Sequence, residues 1–330
     1  MRIGLAIPQY GFSLPSGEIS VADTATWARR AESLGYDSVW LSDHFFYSFA
    51  RYGATDEPIA ALEPLTTLAA LAAVTERIRL GVIVLGAPFR HPALVAKAAS
   101  TIDQISGGRV EIGLGAGWLE QEFDAFGYDF DSVGERFDAL EDALAIVGGL
   151  FGGADPLTHE GSVWSLHEGR LTPPPVQAPI PLWAGGKGGP RLLRAAARSG
   201  AGWNVVWRIT PQDYAGRLLD VRAACGDVER DPATFGLSVG LYGIAGRTEA
   251  EARTTFDRAK AAFPEDAMRN ETWESWRADT LSGSIEQIRE RADAFTALGA
   301  DELIVSPWTL PFTVIEPEQV DLFAEALQRR

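Results

Sequence analysis

The sequence predicts a single (β/α)8 barrel of the α/β class, and three observations support this. Short apolar runs alternate with helix-like segments along the chain, which is the order of elements in α/β proteins. The runs are continuously apolar, as parallel strands buried on both faces require. A chain of 330 residues has the length of one α/β barrel, although two ordinary domains would also fit.

Eight apolar runs are interpreted as the barrel strands, and each is followed by a helix-like segment. The runs are rich in β-branched and aliphatic side chains, which favour strands. In chain order they are residues 2–8, 38–42, 79–85, 109–115, 181–184, 203–206, 237–244 and 302–306. Eight such units are the number that closes this type of barrel.

A weak internal repeat marks the junction between a helix and the next strand. The aligned segments are residues 31–41, 196–206 and 295–305. Each contains a glycine, at Gly35, Gly200 or Gly299, that we expect to end the helix in the left-handed conformation. The first helix is expected to begin after Ser20 as its N-cap.

Four longer segments interrupt the alternation and are interpreted as insertions into one domain that covers residues 1–330. Three lie past the ends of the second, fourth and seventh strands, at residues 43–63, 116–133 and 263–283. That end of a barrel carries the active site, so these segments are expected to form substrate walls. The fourth insertion, 151–180, follows the fourth helix, and its residues 158–164 predict a small hairpin.

The composition excludes several classes of function. There are 29 Lys and Arg against 45 Asp and Glu, and the formal charge of −16 disfavours nucleic-acid and membrane-surface binding. No apolar stretch is long enough for a transmembrane span or a signal peptide. Cys225 is the only cysteine, so disulfides within the chain are excluded and a cytoplasmic location is expected. The four histidines lack metal-ligand spacing, and no metal site is predicted.

Two neighbouring residues after the second strand are candidates for proton chemistry. Asp43 and His44 stand at the catalytic end of the predicted barrel. An acid beside an imidazole can position a proton donor or acceptor against a substrate. The alternative is structural, with Asp43 capping a turn and His44 buried and hydrogen-bonded. Their place in the sequence leaves both interpretations open.

Alternate glycines end the fourth strand. Gly113 and Gly115, followed by Ala116, would let a planar ligand approach the backbone. Tight packing inside the barrel is the alternative interpretation. The spacing does not match GxGxxG, so no Rossmann domain is predicted.

The strongest local pattern is the glycine-rich turn Gly185-Gly186-Lys187-Gly188-Gly189 between the fifth strand and the next helix. Such a turn directs backbone N–H groups and the positive helix end toward one point, which predicts an anion site. Lys187 and the arginines at 191, 194 and 198 add positive charge, which favours a phosphate ligand. Glycine rather than Ser or Thr follows Lys187, so the turn is not a P-loop.

Aromatic residues after the strand ends are candidates for the substrate pocket. Phe45, Trp118, Trp207 and Trp308 follow the second, fourth, sixth and eighth strands. Hydrolytic chemistry has little support, because the ends of the fourth and seventh strands lack the carboxylates of a retaining glycosidase and the chain lacks a GxSxG elbow.

Together these motifs resemble the bacterial luciferase-like monooxygenase superfamily, and specifically its class that depends on the deazaflavin coenzyme F420. The resemblance covers nearly the whole chain. It rests on Ser42-Asp43-His44-Phe45 and on residues 80–84, 88–92, 107–118, 134–137 and 183–186.

The resemblance implies where a cofactor would bind and what the site residues would do. It implies a barrel that holds the ring at the strand C-termini and the cofactor phosphate on the turn at Gly185, Gly186, Lys187 and Gly188. The implied ring-binding residues are Asp43, Ile83, Val84, Gly113, Gly115 and Ala116, with a non-proline cis peptide near Ile83-Val84. His44 would stabilise or protonate the substrate oxygen during hydride transfer, while Asp43 would orient the imidazole.

The resemblance therefore implies an F420-dependent oxidoreductase that transfers a hydride between the deazaflavin and a small organic substrate. The alternatives are a two-component FMN-dependent monooxygenase served by a separate reductase, and a non-catalytic flavin-binding barrel. Sugar-phosphate dehydrogenases of the family carry a glutamate where this chain has Trp118, so a more apolar substrate is expected. The superfamily commonly dimerises, and a homodimer is expected.

Overall fold

A computed structural model describes residues 1–50, 57–153, 156–263, 268 and 270–328. Over these residues, eight strands form a closed barrel, which confirms the predicted fold class. The strands are β1 (Arg2–Ala6), β2 (Ser38–Leu41), β3 (Arg79–Gly86), β4 (Val110–Gly115), β5 (Leu182–Gly185), β6 (Gly202–Val205), β7 (Leu237–Tyr242) and β8 (Glu302–Ser306). Their order around the barrel is β1-β8-β7-β6-β5-β4-β3-β2. Each predicted strand is present, with its ends close to the expected residues.

Helices alternate with the strands as predicted. In chain order they are α1 (Val21–Ser33), α2 (Pro64–Val74), α3 (Pro92–Ser106), α4 (Glu120–Phe126), α5 (Val133–Phe151), α6 (Pro190–Arg198), α7 (Pro211–Gly226), α8 (Glu249–Ala261), α9 (Trp273–Asp279), α10 (Ile285–Ala297) and α11 (Pro317–Leu327). Where the chain is described, none of these helices combines the length and apolar character that crossing a membrane requires.

The repeated helix-to-strand junction has a single backbone cause. Gly35, Gly200 and Gly299 have φ values of 82°, 78° and 89°, a left-handed conformation that glycine adopts without steric cost. At the other end of α1, the Ser20 side chain accepts a hydrogen bond from the Asp23 amide, and the Asp23 carboxylate accepts one from the Ser20 amide. These sequence predictions are confirmed.

The insertions contain small elements of their own. After β2, Phe46–Tyr47 pairs antiparallel with Ile59–Ala60, and residues 51–56 of this insertion lie outside the described residues. The predicted hairpin is present as Leu157–Glu160 and Ser165–Gly169. α4 follows β4, and α9 lies within the 263–283 insertion, of which residues 264–267 and 269 are also outside the described set.

The backbone groups into two compact units. Unit 1 comprises Met1–Leu62, Val206–Ala215 and Ser238–Arg330, and unit 2 comprises Glu63–Val205 and Gly216–Leu237. In unit 1, β1 pairs in parallel with β2 and β8, and β7 pairs with β8. In unit 2, β4 pairs with β3 and β5, and β5 with β6. The interpretation of residues 1–330 as one domain stays a prediction.

Each unit has a fully buried glutamate on a barrel strand. In unit 1, Glu302 accepts hydrogen bonds from Ser38 and from the Trp40 indole, and it pairs with Arg2 at 2.9 Å. In unit 2, Glu111 accepts from the Trp183 indole at 2.9 Å and pairs with an arginine of β3. Buried carboxylates need such partners, so these contacts fix the strands on which the site residues stand.

Candidate active site

The predicted acid-histidine pair is buried in unit 1. Asp43 and His44 follow β2 after one intervening residue, Ser42, and 6% and 9% of their surfaces are exposed. The His44 ring centroid lies 6.1 Å from that of Tyr10 and 5.5 Å from that of Tyr47, which it meets edge-on. An imidazole surrounded by aromatic rings exchanges little with bulk water, so its proton can be directed to a bound molecule.

Two residues that the sequence analysis did not single out hold this strand end. Gln9 is fully buried, and its side-chain amide bonds to both the amide and the carbonyl of Ser42. The Tyr10 hydroxyl shares a hydrogen bond with the Ser42 hydroxyl. The signal that could have found them is Pro8, which closes the apolar run at residues 2–8 and so marks Gln9 and Tyr10 as polar residues just past the first strand.

In unit 2, the predicted ring-binding residues pack around the side chain of Val84. β3 carries a bulge between Val82 and Leu85, and the Ile83–Val84 peptide is cis, as the resemblance implies. A Cβ built at Gly113, Gly115 or Gly185 would lie 2.9, 2.4 or 2.4 Å from a methyl of Val84. The glycines therefore make room for the half-buried Val84 side chain, which favours packing as their immediate role.

The turn after β5 presents open backbone donors. Gly186 and Gly188 have φ values of 155° and 75°, and a Cβ at Gly188 would lie 2.7 Å from the Trp203 ring. The Trp203 indole donates to the Gly186 carbonyl at 2.9 Å, which fixes the turn against β6. In the described part of the chain, the amides of Lys187, Gly188 and Gly189 donate to no protein acceptor. Together with the start of α6, this is the geometry of an anion site.

The positive charge around this turn is smaller than predicted. Arg191 binds Glu141 and Asp138 of α5 and donates to the Gly134 carbonyl at 3.1 Å. Hydrogen bonds to Glu141 and Asp138 raise the pKa of Arg191. Arg194 also lies 3.9 Å from a carboxylate, that of Asp227. Arg191 therefore adds less positive charge to the turn than the sequence predicts, because two acids of α5, about 50 residues earlier in the chain, pair with it, whereas Lys187 is exposed.

The four candidate pocket residues have different surroundings. Phe45 is half-buried, and Trp118 is 37% exposed. Trp207 is half-buried, stacks on Tyr242 with ring centroids 5.6 Å apart, and follows a second non-proline cis peptide that was not predicted. Trp308 is 5% exposed and packs in a core cluster. Its neighbours there include Ile244, Phe256, Trp273 and Trp276.

Comparison with known proteins adds the family context. The profile of luciferase-like monooxygenases matches residues 1–304. A phthiodiolone/phenolphthiodiolone dimycocerosates ketoreductase of Mycobacterium tuberculosis (strain ATCC 25618 / H37Rv) is 30% identical over 257 residues, 74% of this chain and 66% of that protein. An F420-dependent glucose-6-phosphate dehydrogenase of Amycolatopsis mediterranei (strain U-32) is 31% identical over 58% of this chain and 56% of its own length. The chain thus spans less than two thirds of these relatives.

The fold also matches a solved structure along nearly the whole chain. An F420-dependent secondary alcohol dehydrogenase, in complex with an F420-acetone adduct, superposes with a TM-score of 0.76. The match covers 99% of this chain and 98% of that one at 19% sequence identity, so it supports the fold.

Proposed function

Because the chain belongs to the luciferase-like monooxygenase family, we propose that it is a coenzyme F420-dependent oxidoreductase that transfers a hydride between the deazaflavin and a small organic substrate. The observation that carries this proposal is the set of open amides at Lys187, Gly188 and Gly189 before α6. Three consecutive amides without a protein acceptor and a helix N-terminus suit the phosphate of a coenzyme better than a neutral ligand.

The residues of unit 2 fit such a coenzyme. The turn from Gly185 to Gly188 would hold the phosphate, and the half-buried Val84 would support a face of the ring. Gly113, Gly115 and Ala116 would complete the ring site. When bound, the deazaflavin supplies or accepts the hydride, and the chain contributes binding, orientation and exclusion of water.

In this proposal, proton transfer to or from the substrate is the task of Asp43 and His44, the buried pair of unit 1. We infer that the His44 imidazole donates to or accepts from the substrate oxygen, and that Asp43 orients the ring. General acid-base catalysis of this type contributes about 10²- to 10⁴-fold to a rate. The names of the relatives, a ketoreductase and a secondary alcohol dehydrogenase, favour ketones and secondary alcohols as the first substrates to screen.

An FMN-dependent two-component monooxygenase is the second candidate, and the family's name favours it. It would use the same phosphate turn but would need a reductase to supply reduced flavin. Reactivity with oxygen separates the two, because reduced FMN reacts with oxygen and consumes it. A non-catalytic flavin-binding barrel is the third candidate, for which substitution of His44 would change no activity.

The test is equilibrium binding of F420 and FMN to the purified protein at matched ionic strength. Lys187→Glu should weaken binding of the phosphate-bearing cofactor by about 10- to 100-fold, the worth of one charge-assisted contact. Arg222→Glu on α7 is the matched control, since it makes the same charge change at an exposed residue. Preference for FMN would favour the monooxygenase, and binding of neither cofactor would contradict both enzyme proposals.

A homodimer in the cytoplasm completes the proposal, because the superfamily commonly dimerises and the chain has a single cysteine. Sedimentation equilibrium of the purified chain tests the oligomeric state, and a monomer over the whole concentration range would contradict it.

A further inference from the structure

We propose that Gln9 is a positioning residue for the reaction, because it fixes the Asp43–His44 pair by holding both ends of the segment that carries it. Gln9 lies in unit 1, does not touch the substrate in this proposal, and acts through the backbone of Ser42. The inference rests on the proposed function only in assigning proton chemistry to His44.

The Gln9 amide continues the strand pairing beyond the point where the backbone stops it. The pairing of β1 with β2 extends to the Ile7 amide, which donates to the Trp40 carbonyl at 3.2 Å. The next amide on that side of the strand is that of Gln9, which donates to the Ser13 hydroxyl at 3.3 Å rather than to β2. The Ser42 amide instead donates to Gln9 Oε1 at 2.7 Å, and Gln9 Nε2 donates to the Ser42 carbonyl at 2.5 Å. A side-chain amide thus takes the place of a peptide group opposite Ser42.

The same side chain holds the far end of the insertion. Gln9 Nε2 also donates to the Leu62 carbonyl at 2.8 Å, and the Leu62 amide donates to the Gln9 carbonyl at 3.2 Å. Asp43 and His44 therefore belong to a segment whose two ends bond to one fully buried residue. Both donors and the acceptor of the Gln9 amide are used, so its loss would leave buried backbone groups without partners.

The backbone of Gln9 is itself held in place, so that its side chain can fix the position of Ser42. The Gln9 and Tyr10 amides both donate to the fully buried Ser13 hydroxyl, at 3.3 and 2.9 Å. Tyr10 shares a hydrogen bond with the Ser42 hydroxyl, and its ring is a neighbour of the His44 ring. The orientation of His44 thus depends on contacts that converge on residues 9, 10 and 13.

The chain contains a matched control in Gln319 of α11. Its side chain is 2% exposed, accepts from the Ala245 amide at 2.7 Å and donates to the Ala245 carbonyl at 2.9 Å. Gln319 therefore bonds to both the backbone amide and the backbone carbonyl of one residue, as Gln9 does with Ser42. Unlike Ser42, Ala245 precedes no candidate site residue. Gln9→Met and Gln319→Met remove the same amide from a buried position of similar volume.

The experiment compares both variants with the wild type by NMR titration of the histidine side chains. The chain has four histidines, and His44→Gln identifies the His44 resonance. Gln9→Met should shift the His44 titration and chemical shifts, and should lower kcat with F420 by about 10- to 100-fold while cofactor affinity stays near that of the wild type. Gln319→Met should lower thermal stability and leave the His44 titration and kcat unchanged.

The proposal is overturned if Gln9→Met leaves the His44 titration and the pH profile of kcat as they are in Gln319→Met. If Gln9→Met fails to fold, Ser13→Ala provides the test. That variant removes the hydroxyl that bonds to the Gln9 and Tyr10 backbone amides and leaves the Gln9 side-chain amide in place. A change in the chemical shifts and titration of His44 in that variant, relative to the wild type, supports the proposal, and an unchanged His44 contradicts it. If the wild type shows no turnover with F420, the proposed function fails, while the titration still tests the positioning of His44.

Discussion

The packing of Val84 against three glycines predicts that Gly185→Ala destabilises the protein. A Cβ at position 185 would lie 2.4 and 3.3 Å from the two Val84 methyls, whereas ordinary contacts begin near 3.4 Å. Val84 cannot turn away easily, because its χ1 is stiff and its methyls also face Gly113 and Gly115. Overpacking of this kind costs about 1–3 kcal/mol of the free energy of unfolding, and we expect about 2 kcal/mol here.

A second substitution isolates the cause of this loss. Val84→Ala removes both methyls that the new Cβ would meet, at an expected cost of about 1 kcal/mol for a half-buried side chain. If Val84 is the obstacle, Gly185→Ala adds little further destabilisation in the Val84→Ala background. The coupling free energy between the two positions should then be about 2 kcal/mol.

Equilibrium denaturation with urea measures these free energies in the two single variants and the double variant. Gly216→Ala within α7 is the control, because among the described residues nothing beyond its chain neighbours and the backbone of its own helix lies within 4 Å of its Cβ position. Alanine in a helix interior should stabilise that site by about 0.5–1 kcal/mol. An equal loss on Gly185→Ala in both backgrounds would refute the assignment of Val84 as the obstacle.

Three further outcomes follow from the contacts of buried and active-site groups. Glu111→Gln should lower the free energy of unfolding by about 2 kcal/mol, since it removes the charge of a buried carboxylate that bonds to the half-buried Arg79 and to the Trp183 indole. The exposed Glu76→Gln should change it by less than about 0.5 kcal/mol in the same denaturation assay. Burial would raise the pKa of Glu63, but hydrogen bonds from Thr66 and the charge of the nearby Arg90 outweigh it and lower the pKa below the ordinary value of a glutamate. The Glu63 carboxylate therefore stabilises the fold at pH values above the ordinary pKa of a glutamate, and the difference in Tm between wild type and Glu63→Gln should shrink as the pH falls through the lowered pKa of Glu63. His44→Gln should lower turnover with F420 by about 10²- to 10⁴-fold and leave the dissociation constant of the cofactor unchanged, and a loss of both would contradict its assignment as a proton donor.

The fold could be predicted because its signals are local. Each barrel strand is built around a short apolar run, and each junction at Gly35, Gly200 and Gly299 depends on the backbone freedom of one residue. The N-cap at Ser20 depends on a contact three residues away. Such short-range patterns can be recognised in the sequence, because the residues that cause them are close together along the chain.

The site could be predicted only in part, because its decisive contacts join residues far apart in the sequence. The acids that neutralise Arg191 stand about 50 residues earlier on α5, as the Glu141 contact shows. The group that fills the space beside Gly185 is Val84, on another strand. Gln9 bonds to Leu62, 53 positions later. No local pattern reveals such partners, so the residue types were informative and their roles were not.

The glycines of unit 2 therefore divide into two kinds with separable effects on cofactor binding. Gly113, Gly115 and Gly185 accommodate Val84, so their substitution should disturb the support of the ring. Gly188 and Gly189 offer open amides, so the turn that contains them should bind the phosphate. The phosphate-free deazaflavin riboside distinguishes these contributions: its affinity should fall in Gly185→Ala and be retained in Lys187→Glu. Equal losses in both variants would show that ring and phosphate are not held by separate parts of the chain.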